Sequence, residues 1–315
     1  MIELPEGLVL AEQLDRELRD KRITDVRANT SPHRFAWYDG DPAAYPLRFT
    51  GREIEGAHSY GGKVHLRLKG SGGFLFADGI CLRLVPAGGT IPKKHQLYLE
   101  FEDGTRLVGS VQMYGALIGY DSLPVSAYDE AARQKPCPLS DDFSPVYFDG
   151  LLRSVKPSLS AKAFLATEQR IPGLGNGVLQ DILFRAGVHP KRAVSSLSSA
   201  DQDALFGSVK TTLREMAEAG GRNTEKDLYG RPGGLLYPPL PQHRPVPLPT
   251  LRRLPCQRSL PGRKHLFLPQ LSTVNAILQK VVYSIFYTRC ALDGPVLPRI
   301  CLFPVRRSAF RPAII

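Results

Sequence analysis

The apolar residues of this chain change their period once, and that change constrains the fold more than any other feature. From about Ile23 to Leu117 they alternate with polar residues in "KVHLRLKG", "GFLFADGICLRLV" and "HQLYLEFEDGTRLVGSV", with Gly-Gly or Asp-Gly breaks. A period of two places every second side chain on one face of a sheet. Asp-Gly in "FEDGTRL" supplies the positive φ angles a tight hairpin turn needs. The stretch reads as an antiparallel sandwich or barrel. Ahead of it, "ELPEGLVLAEQLDRELRDKRI" carries apolar residues at helical spacing, so a helix leads the sheet. "KPCPLSDDFS" reads as a linker, and from about Pro145 to Ala219 the spacing is helical: "VYFDGLLRSV", "SAKAFLATEQR", "GVLQDILFRAG" and "SSADQDALFGSVKTTLREMAEAGG". Ser160 and Ser199 are the expected N-caps, and Gly220-Gly221 the expected C-cap. The expected class is α+β, with a sheet domain over 1–135 and a helical domain with its linker over 136–234.

Charge divides the chain a second time. Residues 235–315 hold 12 Lys and Arg, one acid (Asp293) and 13 of the 27 prolines. Residues 1–234 keep 29 basic and 29 acidic residues, so the net charge of +11 belongs to the end of the chain and gives no argument that the body binds nucleic acid. The five cysteines, Cys81, Cys137, Cys256, Cys290 and Cys301, form no CxxC pair, which fits a reduced, cytoplasmic protein. "MIELPEGLVL" lacks a basic start and a long apolar core, so no signal peptide is expected. No apolar run reaches membrane-spanning length, and a monomer without membrane partners is expected.

The most informative stretch of the body is "RIPGLGNGVLQDILFRAGVHPKR", Arg170 to Arg192. A helix ends, a Gly173-x-Gly175-Asn176-Gly177 turn follows, and another helix begins. Amides at such a helix start suit a phosphate; a plain tight turn between two helices is the competing reading. No strand precedes the turn, which excludes a dinucleotide-binding fingerprint. "GLGN" followed by "LFRAGVHP" resembles the helix–two-turn–helix element of the formamidopyrimidine-DNA glycosylase/endonuclease VIII family. The opening "MIELPE" and the later "GGRNTEKDLYGRPGG" resemble two further motifs of that family in the same order.

The resemblance implies base-excision repair of double-stranded damaged DNA: an N-glycosylase for oxidised bases with abasic-site lyase activity. In the family a proline after the initiator methionine attacks sugar C1′ of a flipped-out nucleotide and forms a Schiff base. Ile2 stands at that position, and its size predicts that Met1 is retained and carries the free amine. Glu3 matches the family's proton-handling glutamate. Lys63 in "GGKVHL" resembles the hairpin lysine that approaches the phosphate and assists strand cleavage, so Glu3 and Lys63 are the candidate catalytic residues. Asn176 matches the phosphate-binding asparagine; Gly175 and Lys162 join it as candidate DNA-binding residues. "QMYGA" stands where relatives carry an arginine–aromatic wedge, which makes Met113 and Tyr114 the wedge candidates, with a buried strand aromatic as the competing reading. Loss of the proline favours an alternative, a non-catalytic protein that binds damaged DNA or abasic sites.

The family closes on a zinc finger, Cys-x2-Cys, sixteen residues, Cys-x2-Cys, and nothing of the kind is printed after Gly234. Reading the codons one base out of frame permits cysteine at Leu248, Leu251, Leu268 and Leu271, with gaps of 2, 16 and 2 residues, the pattern of a four-thiolate zinc site. The shifted frame also permits a stop at Val274-Asn275. The expectation is a frameshift near Arg231–Leu235. Residues 235–273 are then a finger spelled in the wrong frame, and 274–315 a read-through tail. As printed the chain holds no metal ligand set, although zinc is expected for the family. The competing reading is a Pro-rich basic tail that binds nucleic acid or stays disordered.

Overall fold

The computed structural model describes residues 1–234. The chain opens on helix α1 (Leu4–Leu18), whose Leu10, Ala11, Leu14 and Leu18 recur at three and four residues and are buried. Strands β1 (Ile23–Ala28), β2 (Ala36–Trp37), β3 (Ile54–Tyr60), β4 (Lys63–Leu68), β5 (Gly73–Val85), β6 (Leu97–Phe101) and β7 (Arg106–Tyr120) follow. They form one seven-stranded sheet in the order β1-β6-β7-β5-β4-β3, with β2 pairing alongside β7 in parallel. The expected antiparallel sandwich or barrel takes the form of a single sheet that curls. Its two edge strands meet at one end, where Asp20 N–H donates to the Ile54 carbonyl (2.9 Å) and Ile54 N–H to that of Lys21 (2.9 Å). Curling buries one face without a second sheet. The concave core holds Phe49, Phe74, Phe76, Phe101 and Leu117, with Phe49 and Phe74 rings 4.6 Å apart.

The Asp103-Gly104 turn joins β6 to β7 as expected, with Glu100 opposite Arg106. Two short features inside the strand region escaped the alternation pattern. Helix α2 (Tyr45–Phe49) is too short to show a period, yet its Tyr45 and Phe49 are fully buried. In β5 the pairing with β7 shifts between Asp78 and Ile80, and Asp78 takes φ of 64°. This bulge turns the strand so that the Asp78 carbonyl accepts the Ile2 N–H (2.6 Å).

Five helices complete the described chain: α3 (Ala127–Gln134), α4 (Pro145–Arg153), α5 (Ala161–Ala166), α6 (Asn176–Arg185) and α7 (Ser199–Glu218). The hydroxyl of Ser160 caps α5 by accepting the Ala163 N–H. The α7 cap is Ser198 rather than Ser199, and Ser198 and Asp201 form a reciprocal capping box. Gly220 and Gly221 end α7, with Gly221 N–H reaching back to the Met216 carbonyl (2.7 Å). Helix α3 is pinned to the sheet by a buried polar set: His65 Nε2 lies 2.8 Å from Asp129 Oδ1, and His65 Nδ1 lies 3.2 Å from the Tyr120 hydroxyl. A second core, including Phe143, Phe148, Phe164, Val178, Ile182, Leu205 and Met216, lies among the helices, and Leu4 at the start of α1 belongs to it. One helix therefore feeds both cores.

The finger region 235–273, its shifted-frame cysteines and the tail 274–315 lie outside the described residues. Replacing Phe74, fully buried against Phe49, Phe76 and Tyr45, with alanine should cost about 3–5 kcal/mol in a denaturant titration.

Candidate functional site

The site is built where the N-terminus of the chain meets the start of α6. Glu3 caps α1 with its backbone and points its side chain the other way. Its Oε1 accepts from the Gly177 amide (2.9 Å), and its Oε2 from the amides of Gly175 (3.2 Å) and Val178 (2.8 Å). A carboxylate is thus seated on the N-terminus of α6, where helix dipole and free amides favour an anion. Arg222, from the loop after α7, closes the group. It donates to Glu3 Oε1 (3.1 Å), to both oxygens of Glu6 (2.9 and 2.8 Å) and to the Met1 carbonyl (2.9 Å). Glu3 is 4% exposed and Arg222 6%. Burial pushes the Glu3 carboxyl up, while Arg222 and the Val178 and Gly177 amides hold it down. Burial also works against the Arg222 cation, and Glu6, Glu3 and Glu225 more than offset it, leaving its pKa above the ordinary arginine value. Gly177 must be glycine because a Cβ there would run into the Arg222 guanidinium.

The seat changes the expected phosphate site. The Gly175 amide, a candidate phosphate donor, already donates to Glu3. Asn176 is the exposed residue of the turn, and neither its carboxamide nor its amide takes a partner among the described residues. Lys162 is also exposed, on α5, which packs against α6.

Lys63 begins β4 directly after the Gly61-Gly62 turn. That turn is clamped: Gly61, at φ of 53°, faces Pro172 and Gly173 of the α5–α6 loop, and Gly62 abuts the Glu3 backbone. Gly61 has no room for a Cβ, and at Gly62, with φ of 80°, a Cβ would press on the Glu3 backbone. The clamp brings Lys63 beside the strand end. Lys63 is half-buried, and burial lowers its pKa against the pull of Asp78 and then Asp129. Burial raises the Asp78 carboxyl, opposed by Lys63 and the N-terminal ammonium.

Met113 lies on β7, 65% exposed, whereas Tyr114 is half-buried with its ring 5.7 Å from that of Trp37. Trp37 itself is 45% exposed, with exposed Phe35 two residues away. The sequence reading did not include these two aromatics. β2 is two residues long and pairs in parallel, so no alternation marks it, and only the aromatic density of "RFAWY" hinted at it. Arg222 was missed because an arginine in a Gly-rich loop reads as exposed.

Among the described residues no group of three or more His, Cys, Asp or Glu side chains is placed to hold a metal, so the zinc expected for the family has no fit there. Cys81 and Cys137 are free thiols. No described helix is long and apolar enough to cross a membrane.

The Glu3–Arg222 group sets a clear expectation. Arg222→Met removes the partner of two buried carboxylates and should cost about 3–5 kcal/mol in urea unfolding; a loss under about 1 kcal/mol would mean that the carboxylates are hydrated instead.

Comparison with known proteins places the fold in a family. Residues 135–227 match the family model described as the formamidopyrimidine-DNA glycosylase H2TH domain. The chain is 30% identical over 241 residues to the formamidopyrimidine-DNA glycosylase of Geobacillus kaustophilus, covering 70% of this chain and 80% of that one. It is 35% identical over 156 residues to the Idiomarina loihiensis enzyme, there spanning 56% of the relative's length. Among solved structures, the Lactococcus lactis Fpg complex with abasic-site DNA superposes with a TM-score of 0.63 over 73% of this chain and 84% of that chain, at 21% identity. The MutM (Fpg) protein of Thermus thermophilus does so with a TM-score of 0.59 over 74% and 84%, at 24% identity. At those identities the structural likeness is one of fold. The relative from Geobacillus, matched over four fifths of its length, together with the H2TH domain, shows that this chain belongs to the formamidopyrimidine-DNA glycosylase family.

Proposed function

We propose that the protein is a base-excision repair enzyme that binds double-stranded DNA at damaged nucleotides, removes oxidised bases and cleaves at the resulting abasic sites. The observation that carries this reading is the α6 turn. An internal carboxylate holds its backbone rigid while the Asn176 carboxamide and amide remain turned outward, as capture of a DNA phosphate requires. Lys162 on the neighbouring helix adds a cation for the same backbone. Exposed Met113, with Tyr114 and Trp37 behind it, offers an apolar wedge to fill the gap left by a flipped nucleotide. Lys63 lies at the strand end, where the sugar of that nucleotide would sit. Each Glu3 oxygen already takes two hydrogen bonds, so proton transfer there needs one to open. In this reading the main part of Glu3 is to hold the chain's first residues against α6.

Ile2 favours a second reading. Its side chain is 8% exposed, packed in the sheet core, and its N–H is bonded to Asp78. Position 2 therefore offers no amine, and a protein that binds damaged DNA without acting on it would have the same surface.

DNA recognition is tested by titrating duplexes with and without a tetrahydrofuran abasic analogue. Preference for the analogue is expected, and Asn176→Ala should weaken binding about 10-fold, the worth of one hydrogen bond to a charged oxygen. Equal affinity for the two duplexes would contradict the reading.

A further inference from the structure

An imine with the C1′ aldehyde of an abasic sugar needs an amine that is unprotonated and within reach. Two amines approach the site, and their surroundings differ. The α-amine of Met1 donates to Glu225 Oε2 (2.5 Å), a contact that would have to open before this amine could attack. Lys63 makes no ion pair among the described residues. It is half-buried at the start of β4, next to a turn fixed between α1 and the α5–α6 loop, and the pairing of Val64 with Phe76 sets it beside Ala77–Asp78 at the bulge within β5, to which Ile2 is bonded.

We propose that Lys63, rather than the N-terminal amine, is the nucleophile that forms the imine with an abasic site in this protein. The assignment rests on the proposed repair function and names the residue that carries its lyase step. Nζ gives its proton to water and its lone pair adds to C1′ of the ring-opened sugar. The carbonyl oxygen leaves as water, so that C=N replaces C=O. Loss of a C2′ proton then places that electron pair in a new C2′=C3′ bond and expels the 3′ phosphate. The burial that lowers the Lys63 pKa raises the fraction of neutral amine available for the first step.

The test is borohydride trapping of the full-length chain on a duplex with one natural abasic site. Hydride reduces the imine to a stable amine, and peptide mass spectrometry locates the linkage. The expected linkage is at Lys63. Lys63→Arg keeps a cation but cannot form the imine, so it should lose trapping by about 100-fold or more while retaining affinity for the tetrahydrofuran duplex. A linkage on the Met1 amine, or a Lys63→Arg variant that traps like the parent, overturns the assignment. Binding to the tetrahydrofuran duplex with no linkage anywhere overturns it too, but leaves DNA recognition standing. Absence of preferential binding sinks the functional reading itself.

Discussion

One carboxylate at the third residue organises this molecule. The Glu3 side chain serves as the anion at the start of α6, and Arg222 reaches over from the end of α7 to balance it together with Glu6. Three segments distant in sequence, near residues 3, 176 and 222, meet through charge-assisted hydrogen bonds in a nearly dry setting. Buried charges of this kind are tolerable only when each is paired and hydrogen-bonded, as these are. The arrangement stiffens the α6 turn from behind, and it also fixes where the chain begins relative to the helices. The proposed phosphate contact at Asn176 and the proposed lysine at the start of β4 thereby share one support.

That support explains why both ends of the Gly61-Gly62 turn are closed. The hairpin between β3 and β4 fits between the Glu3 backbone and the Pro172–Gly173 loop, where a side chain at Gly61 would collide with Pro172. Lys63 follows the turn by one residue, so its place depends on contacts from α1 and from the loop before α6 together. The bulge at Asp78 belongs to the same set, because it turns the β5 carbonyl toward Ile2.

Much of this was legible in the sequence where the physics is local. Alternation marked the sheet, helical spacing marked α1, α6 and α7, and the serine cap of α5 and the glycine end of α7 followed from backbone chemistry. The Ser198 cap lay one residue from its expected place, since Ser198 and Ser199 look alike until the Asp201 contact is seen. What the sequence hid was non-local. No pattern tells that the partner of Glu3 is Arg222, more than two hundred residues on, or that the Gly175 amide is spent internally. Closure of the sheet through Lys21 and Ile54 is likewise a tertiary event, as is the pairing of Trp37 with Tyr114. The motif match placed Asn176 at the turn, and the structure adds that it is the exposed residue there while the Gly175, Gly177 and Val178 amides are held by Glu3.

The central claim is that this surface serves chemistry on DNA and not recognition alone. Release of free base from duplexes each carrying one oxidised nucleotide, followed by mass spectrometry under single-turnover conditions, tests it most directly. The account predicts base release from at least one such duplex, with strand cleavage following. Intact duplexes recovered from saturating protein that binds them tightly would contradict it, and would leave a protein that marks damage without removing it.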